Sequence, residues 1–362
     1  MSSAALKTEI TRRFGSPVVV IDLDMVERNI ARAQSICDAA GIANRPHIKT
    51  HKSPVLAAMQ RDAGAAGITC QKLGEAEIMA AAGLDNILIS YNILGEEKIE
   101  RLGSLLRDVN VIVAADHPMV ADGLTRAAAL AERPLPVTVE CDTGRKRAGV
   151  ETPAEAVALA RHIASLPGLS FAGLLLYPPD AAMAAAQGFL DATLAGLKEN
   201  GLTAEIVSTG GTPNLAHLGE LKGVTEHRAG TAIFNDRMMM KAGMAALTDC
   251  ALTVYTTVVS RPTPMRGILD AGSKTLTSDT GGGLDGFGFI LEAPEARIAA
   301  LSEEHGILDL NACSGAVPQI GDVVRVVPNH VCVVVNMVDR CVAVRGDEII
   351  GEMPIVARGK TT

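Results

Sequence analysis

This chain of 362 residues has no tryptophan, and aromatic residues make up only 2% of it. Proteins that hold single-stranded nucleic acid usually stack bases on aromatic side chains, so this shortage disfavours such a role. The formal net charge is -8, and the sequence has no basic tail or dense stripe of Lys and Arg. A nucleic-acid partner is therefore not expected, because phosphate binding needs a concentrated positive surface.

Long apolar runs are also missing. No stretch reaches the roughly 18 apolar residues that a membrane span needs, and residues 1–17 lack the apolar segment of a signal peptide. The 7 cysteines are scattered from Cys37 to Cys341 without CxxC spacing, which is typical of reduced thiols. The sequence predicts a cytoplasmic protein with no membrane partner, and its 35 glycines suit a large α/β enzyme.

Strand and helix patterns alternate along the first two thirds of the chain. A buried-strand pattern at 18–24 precedes a helical pattern at 25–41, which ends at a glycine. Short apolar runs then recur at 47–49, 67–70, 86–90, 109–114, 135–141, 169–177, 204–208 and 224–230. Helical patterns separate them, among others at 54–65, 96–108 and 152–167. The last of these should begin with a capping box made by Thr152 and Glu155.

This alternation predicts an α/β fold built on a (β/α)8 barrel of the TIM type, because eight strand–helix units close a parallel sheet. A doubly wound open sheet is the alternative, but it usually has GxGxxG after its first strand, and none stands there. From about Asp249, strand patterns follow one another, RGDEII is typical of a hairpin, and only 295–306 could form a helix. The predicted domains are a barrel at 25–248 and an antiparallel β domain at 249–362 that includes the strand in 1–24.

The segment RPHIKTHK at 45–52 concentrates basic side chains at the end of the first repeated strand. Barrel enzymes gather their functional groups at this end of the strands. There, desolvation and neighbouring cations such as His47 and His51 would lower the pKa of Lys49 and free its amine to form an imine. A solvated basic loop is the alternative interpretation.

Two glycine-rich turns follow the seventh and eighth repeated strands, STGGTPN at 208–214 and RAGTAIFND at 228–236. Barrels commonly bind phosphate at these positions, through backbone N–H groups and hydroxyls, although each turn alone could be ordinary. A lysine at the carboxyl end of a barrel strand, together with a phosphate-binding site formed by these two turns, predicts pyridoxal 5′-phosphate (PLP) as cofactor.

The segment PNHVC places His330 and Cys332 two residues apart, so on an extended strand they would face the same side. Imidazole and thiolate together suit a borderline-soft divalent metal. An ordinary strand end is the alternative interpretation of this pair. With only two ligands, the site would leave positions open for substrate.

Several motifs together resemble the D-threonine aldolase family, whose relatives include D-serine dehydratase and D-3-hydroxyaspartate dehydratase. They are RPHIKTHK, ITCQKLGEAE, STGGTPN, RAGTAIF, LDAG, EEHGIL and VPNHVCVVVN with the ARGK tail, and they span almost the whole chain. The resemblance implies an alanine-racemase-like PLP barrel with a β domain, a first strand outside the barrel, and a homodimer.

The resemblance also implies roles for individual residues. Lys49 would carry PLP as an imine, and His51 would assist catalysis. The cofactor would further contact Gln71, Arg147, Tyr177, Gly211, Thr212, Gly230 and Thr231. His330 and Cys332 would hold a divalent metal, which could be Mn, Mg, Co or Zn. The substrate implied is a small β-hydroxy-D-amino acid.

The reaction stays open at this stage. Pro178 follows Tyr177 where many family aldolases have a histidine, and Cys332 replaces the aspartate common in aldolases. ITCQK and VVVNMVD are, in contrast, similar to aldolases. An aldolase is therefore expected, with a PLP- and metal-dependent dehydratase as alternative. A non-catalytic PLP carrier is a disfavoured alternative, because such proteins are single barrels. A metal-independent racemase is disfavoured too, because the His330–Cys332 pair would then have no function.

Overall fold

The computed structural model describes residues 3–180, 182–315 and 317–362. By spatial contact the chain divides into two compact units. The barrel unit comprises Ala31–Lys49, Ser53–Gly230 and Gly359–Thr362, and the sheet unit comprises Met1–Ile30, Thr50–Lys52 and Thr231–Arg358. The domain boundaries expected at 25–248 and 249–362 stay a prediction, because compactness does not show which segment folds by itself.

The chain opens with helix α1 (Ser3–Phe14), strand β1 (Val18–Asp22) and helix α2 (Leu23–Ala39). The helix expected at 25–41 is thus confirmed, and it starts directly after the strand. The Asp22 carboxylate accepts the Met25 N–H at 3.1 Å, which satisfies one of the open donors at the start of α2.

Eight parallel strands form the sheet of the barrel unit. They are β2 (Ala43–Asn44), β3 (Ile68–Cys70), β4 (Asn86–Ile89), β5 (Asn110–Ala115), β6 (Leu135–Cys141), β7 (Leu169–Leu176), β8 (Ile206–Gly210) and β9 (Glu226–Arg228). Each pairs with the next from β3 to β9, and β2 pairs with β9. A parallel bridge between His47 and Thr69 closes the ring. The barrel prediction is confirmed, and the open-sheet alternative is wrong.

Six helices separate the barrel strands: α3 (Pro54–Asp62), α4 (Leu73–Ala81), α5 (Glu96–Asp108), α6 (Pro118–Ala131), α7 (Pro153–Ser165) and α8 (Met183–Glu199). The capping box of α7 is confirmed. Thr152 Oγ1 accepts the Glu155 N–H at 3.2 Å, and the Glu155 carboxylate accepts the Thr152 N–H at 3.0 Å. None of the helices in the described ranges is long and apolar enough to cross a membrane.

The sheet unit is built on nine strands, β1 together with β10 (Leu252–Thr263), β11 (Arg266–Leu269), β12 (Phe289–Ile290), β13 (Arg297–Leu301), β14 (Gly306–Asp309), β15 (Val323–Val327), β16 (Arg340–Arg345) and β17 (Glu348–Pro354). All pairings are antiparallel except the one between β1 and β16. Buried Ile10, Val20, Tyr255 and Val342 share one apolar cluster, so α1 packs on the sheet. The hairpin expected at RGDEII and the first strand outside the barrel are confirmed.

Among the described residues, the sheet unit also has the short α-helices α9 (Arg237–Lys241), α10 (Ser273–Leu276) and α11 (Val331–Met337) and the 3₁₀ helices Thr231–Ile233 and Leu247–Asp249. Three local predictions are wrong. The run at 47–49 is not a strand, because the chain turns into a 3₁₀ helix at Ile48–Thr50. Residues 295–306 hold no helix, since pairing between β13 and β14 overrides their helical pattern. The strand expected through PNHVCVVV ends at β15, and α11 follows it although valines favour strands.

Candidate active site

Lys49 lies half-buried in the barrel unit, past the carboxyl end of β2. Its backbone N–H donates to Nδ1 of His47 at 3.4 Å, which assigns the proton of that ring to Nε2. Nε2 lies 3.1 Å from Gln71 Oε1 and 3.4 Å from the Ser90 hydroxyl. Side chains that follow β3 and β4 therefore hold the backbone of Lys49 in place through His47.

Tyr177 follows β7, and the guanidinium groups of two arginines lie close to its ring. Arg145 lies 3.8 Å and Arg147 5.0 Å from the ring centre, distances at which cations are attracted to an aromatic ring. Arg145 also donates to the carbonyls of Tyr177 and Pro178, both at 3.1 Å. Arg147 reaches Glu140 at 3.7 Å, and burial raises the pKa of that carboxyl. Sequence reasoning selected Arg147 and missed Arg145, although both stand in the same GRKR turn after β6.

The glycine turn after β8 approaches the same tyrosine. Gly211 has φ of +104°, and a Cβ added there would lie 2.7 Å from Tyr177 Cε2, so the position requires glycine. His227 holds this turn, with Nε2 donating to the Gly211 carbonyl at 3.1 Å and Nδ1 accepting from the Thr209 hydroxyl at 2.9 Å. Burial, aided by a neighbouring guanidinium, lowers the pKa of His227 to about 3, so the ring stays neutral. Thr212 follows as the first residue of a 3₁₀ helix (Thr212–Glu220) and is buried.

These groups fit PLP. The barrel unit presents a lysine, an aromatic ring with two guanidiniums, and a turn whose missing Cβ lets its backbone come close to a ligand. All of them follow the carboxyl ends of barrel strands, where such enzymes bind their ligands. Gly230 ends the same unit after β9, and its expected contact with a phosphate stays a prediction.

The two expected metal ligands meet in the sheet unit, although not on a strand. His330 is the N-cap residue of α11, and Cys332 lies in the first turn of that helix. Cys332 Sγ lies 3.2 Å from the Thr50 hydroxyl and 3.9 Å from the Thr231 hydroxyl. The phosphate role expected for Thr231 stays a prediction, as does the catalytic role of His51, which is fully buried in this unit.

The His330 ring has a charged neighbour that sequence reasoning missed. Nδ1 lies 2.7 Å from Oδ2 of Asp279. Burial alone would lower the pKa of His330, but the hydrogen bond and charge of Cys332 and the bond to Asp279 raise it to about 9. Imidazole and thiolate suit a divalent metal. Within the ranges that the structure covers, no set of three or more His, Cys, Asp or Glu side chains is arranged to hold one.

Two protein-family models match this chain and define the class of enzyme to which it belongs. Residues 21–238 match the alanine racemase N-terminal domain, and residues 251–344 match the putative serine dehydratase domain. With the barrel and the lysine at its rim, these matches define a PLP-dependent enzyme with the alanine-racemase fold.

Similarity to individual proteins narrows the class. The chain is 34% identical to D-threonine aldolase from Arthrobacter sp, covering 96% of this chain and 93% of that protein. It is 34% identical to D-threo-3-hydroxyaspartate dehydratase from Delftia sp. (strain HT23), covering 88% and 90%. The crystal structure of D-threonine aldolase from Filomicrobium marinum superposes with a TM-score of 0.88 at 32% identity, covering 96% of both chains. The chain belongs to the D-threonine aldolase family and is a lyase.

Proposed function

We propose that this lyase cleaves β-hydroxy-D-amino acids of the D-threonine type into glycine and an aldehyde, with PLP and a divalent metal as cofactors. The observation that carries the proposal is the similarity to D-threonine aldolase over 96% of this chain. The aldolase-like segments ITCQK and VVVNMVD support the same choice. The homodimer implied by the resemblance stays a prediction.

In the barrel unit, Lys49 would carry PLP on its amine, and His47 holds the backbone of that lysine. PLP, when bound, supplies an electron sink for the electron pair released at Cα. Tyr177 would contact the cofactor ring, and the guanidiniums of Arg145 and Arg147 limit the freedom of the tyrosine to move. The turn at Gly211 would offer backbone to the phosphate, and neutral His227 fixes this turn by its hydrogen bond to the Gly211 carbonyl.

In the sheet unit, His330 and Cys332 would hold the divalent metal. Such an ion lowers the pKa of a hydroxyl bound to it. A soft thiolate ligand favours zinc or cobalt over magnesium. The hydroxyls of Thr50 and Thr231 contact the Cys332 sulfur and can donate to it, which stabilises the thiolate form that binds metal.

Dehydration is the second candidate. Pro178 stands next to Tyr177 where many family aldolases have a histidine, and the second metal ligand is Cys332, as in the dehydratases of the family. The similarity to D-threo-3-hydroxyaspartate dehydratase is also 34%. In this reaction a base would take the Cα proton and the β-hydroxyl would leave, which uses the same residues.

Product analysis after incubation with D-threonine distinguishes the candidates. We expect acetaldehyde and glycine in equal amounts, and no product from L-threonine. Formation of 2-oxobutanoate and ammonia would establish a dehydratase instead. D-3-hydroxyaspartate gives an independent comparison, since cleavage yields glycine and glyoxylate while dehydration yields oxaloacetate and ammonia. Interconversion of alanine enantiomers without either reaction would contradict both candidates.

A further inference from the structure

The loop at 277–286 lies between α10 and β12 of the sheet unit and has the sequence TSDTGGGLDG. Among the contacts that it makes outside the loop is the 2.7 Å approach of Asp279 Oδ2 to Nδ1 of His330. The loop therefore brings a carboxylate to the imidazole that would bind the metal.

Hydrogen bonds fix Asp279 within this loop. Its Oδ1 accepts the Gly281 N–H at 2.8 Å, and its own N–H donates to the Thr277 hydroxyl at 3.3 Å. Its carbonyl accepts from the side-chain amide of Asn329 at 3.2 Å. Asn329 directly precedes His330 in the chain, so this bond fixes the position of the Asp279 carboxylate relative to the His330 imidazole.

The anchor residue Asn329 is itself fixed. It is 1% exposed, its amide also donates to the Gly286 carbonyl at 2.9 Å, and its oxygen accepts from Arg237 at 2.6 Å. Gly281 adopts φ of +58°, and a Cβ there would lie 2.8 Å from Met238 Cγ. The glycine allows the loop to pack closely enough for these bonds to form.

The carboxylate determines which imidazole nitrogen is available. An ionised carboxylate only accepts hydrogen bonds, so Nδ1 of His330 must carry the proton that it shares with Asp279. In the neutral ring, Nε2 then keeps its lone pair for a cation. Histidines that bind metals commonly donate their other N–H to a carboxylate, which fixes the tautomer and orients the ring.

We propose that Asp279 is the residue that positions His330 for metal binding, acting through Nδ1 without touching the metal. This inference rests on the metal site of the proposed function. Without Asp279, His330 could rotate or exchange tautomer, and the metal would lose a preorganised ligand.

The test compares Asp279→Ala, Asp279→Asn and Asp285→Asn in the PLP-loaded protein. Asp285 lies in the same loop, but its carboxylate is exposed and pairs with Arg297 at 2.9 Å, so it controls for the loss of one loop charge. The affinity for zinc and for cobalt is measured by competition with a chromophoric chelator. We expect Asp279→Ala to weaken metal binding about 10- to 100-fold. Asp279→Asn should weaken it less, since its amide oxygen can still accept from Nδ1, and Asp285→Asn should match the parent.

The visible absorption of bound PLP and the Tm should be unchanged in all three variants, which separates positioning from damage to the fold. If Asp279→Ala and Asp279→Asn bind zinc as tightly as the parent, the positioning role is overturned while the metal site stands. An equal loss in Asp285→Asn would overturn it too, because loop charge alone would then explain the effect. If the parent binds neither metal, the inference and the metal site of the proposed function both fail.

Discussion

At the scale of single residues, the candidate site depends on side chains that hold other residues in position. His47 accepts the backbone N–H of Lys49, and Arg145 donates to the carbonyl of Tyr177. His227 donates to the carbonyl of Gly211. Each of these contacts fixes the backbone of a residue to which we assign a role with PLP. Preorganisation of this kind matters because small displacements of reacting groups slow catalysis strongly.

Lys49 gives the most direct test at this scale. Lys49→Arg keeps the positive charge but cannot form an imine at neutral pH, so the purified variant should lose the visible absorption of bound PLP. Its turnover should fall by at least about 100-fold, the lower end of what a positioned acid–base group contributes. Absorption spectra and D-threonine assays of the same preparations provide the measurement.

Lys72→Arg is the matched control for this variant. Lys72 lies at the same end of the barrel strands, 3.7 Å from the centre of the Tyr91 ring, and an arginine can keep that contact. Its spectrum and turnover should equal those of the parent. Retention of the visible band in Lys49→Arg would assign the cofactor to another lysine.

Sequence reasoning could select Lys49 from its position at a strand end, and the family resemblance added Arg147 and Tyr177 as candidates. It could not find the residues that hold them, because those contacts join distant parts of the chain. His227 reaches Gly211 across 16 positions of sequence, and Asp279 reaches His330 across 51. Nothing in the local pattern around either residue indicates its partner.

At the scale of elements, tertiary contacts overrode the local pattern at residues 295–306 and at the start of α11. Strands β3 to β8 were predictable because each coincides with a mostly apolar run between helical patterns, whereas β2 (Ala43–Asn44) has no such run and was missed. Residues 295–306 have a helical pattern, yet β13 and β14 satisfy their backbone groups with each other and with neighbouring strands. The valines of α11 favour a strand, but the buried Asp236 carboxylate accepts the Val331 N–H at 3.0 Å and stabilises the start of the helix.

Replacement of two glycines in the barrel unit by alanine should change the stability of the protein in opposite directions. Gly173 in β7 has φ of +147°, and a Cβ there would lie 1.8 Å from the Ile206 carbonyl oxygen in β8. Gly173→Ala should therefore destabilise the protein by at least about 2 kcal/mol, because both the backbone and the strand pair must shift. Thermal unfolding should show a lower Tm or a loss of folded protein.

Gly188 lies inside α8, where a Cβ would meet nothing within 4 Å. Gly188→Ala should stabilise the protein by about 0.5–1 kcal/mol, because alanine favours the helix. That gain corresponds to a rise in Tm of about 1 °C for a chain of this length. An unchanged Tm in Gly173→Ala would show that β7 and β8 adjust without strain, contrary to the geometry.

At the scale of the whole molecule, periodicity alone predicted a barrel followed by β structure, since alternating strands and helices demand crossovers. A lysine at a strand end with two glycine-rich turns indicated the cofactor, the His330–Cys332 pair indicated the metal, and the resemblance implied both. Neither could predict the arrangement around His330, where a helix replaces the expected strand and still brings Cys332 to the imidazole. His330 is the N-cap residue of α11 and has an extended backbone, so its side chain can meet that of Cys332 as it could on a strand, and sequence spacing does not distinguish the two arrangements.

Metal removal tests whether the ion serves the reaction or the fold. The sheet unit has nine paired strands and its own apolar cluster, so its stability does not depend on two metal ligands. Chelation should therefore abolish turnover of β-hydroxy-D-amino acids and shift the Tm by no more than the few degrees that loss of one bound ion causes by mass action. Added zinc or cobalt should restore activity.

The variants His330→Ala and Cys332→Ser should behave like the chelated protein. Cys313 is a half-buried thiol of the same unit, so Cys313→Ser should remain active. Unfolding of the sheet unit on chelation would indicate a structural metal, and activity that survives chelation would remove the metal from the reaction.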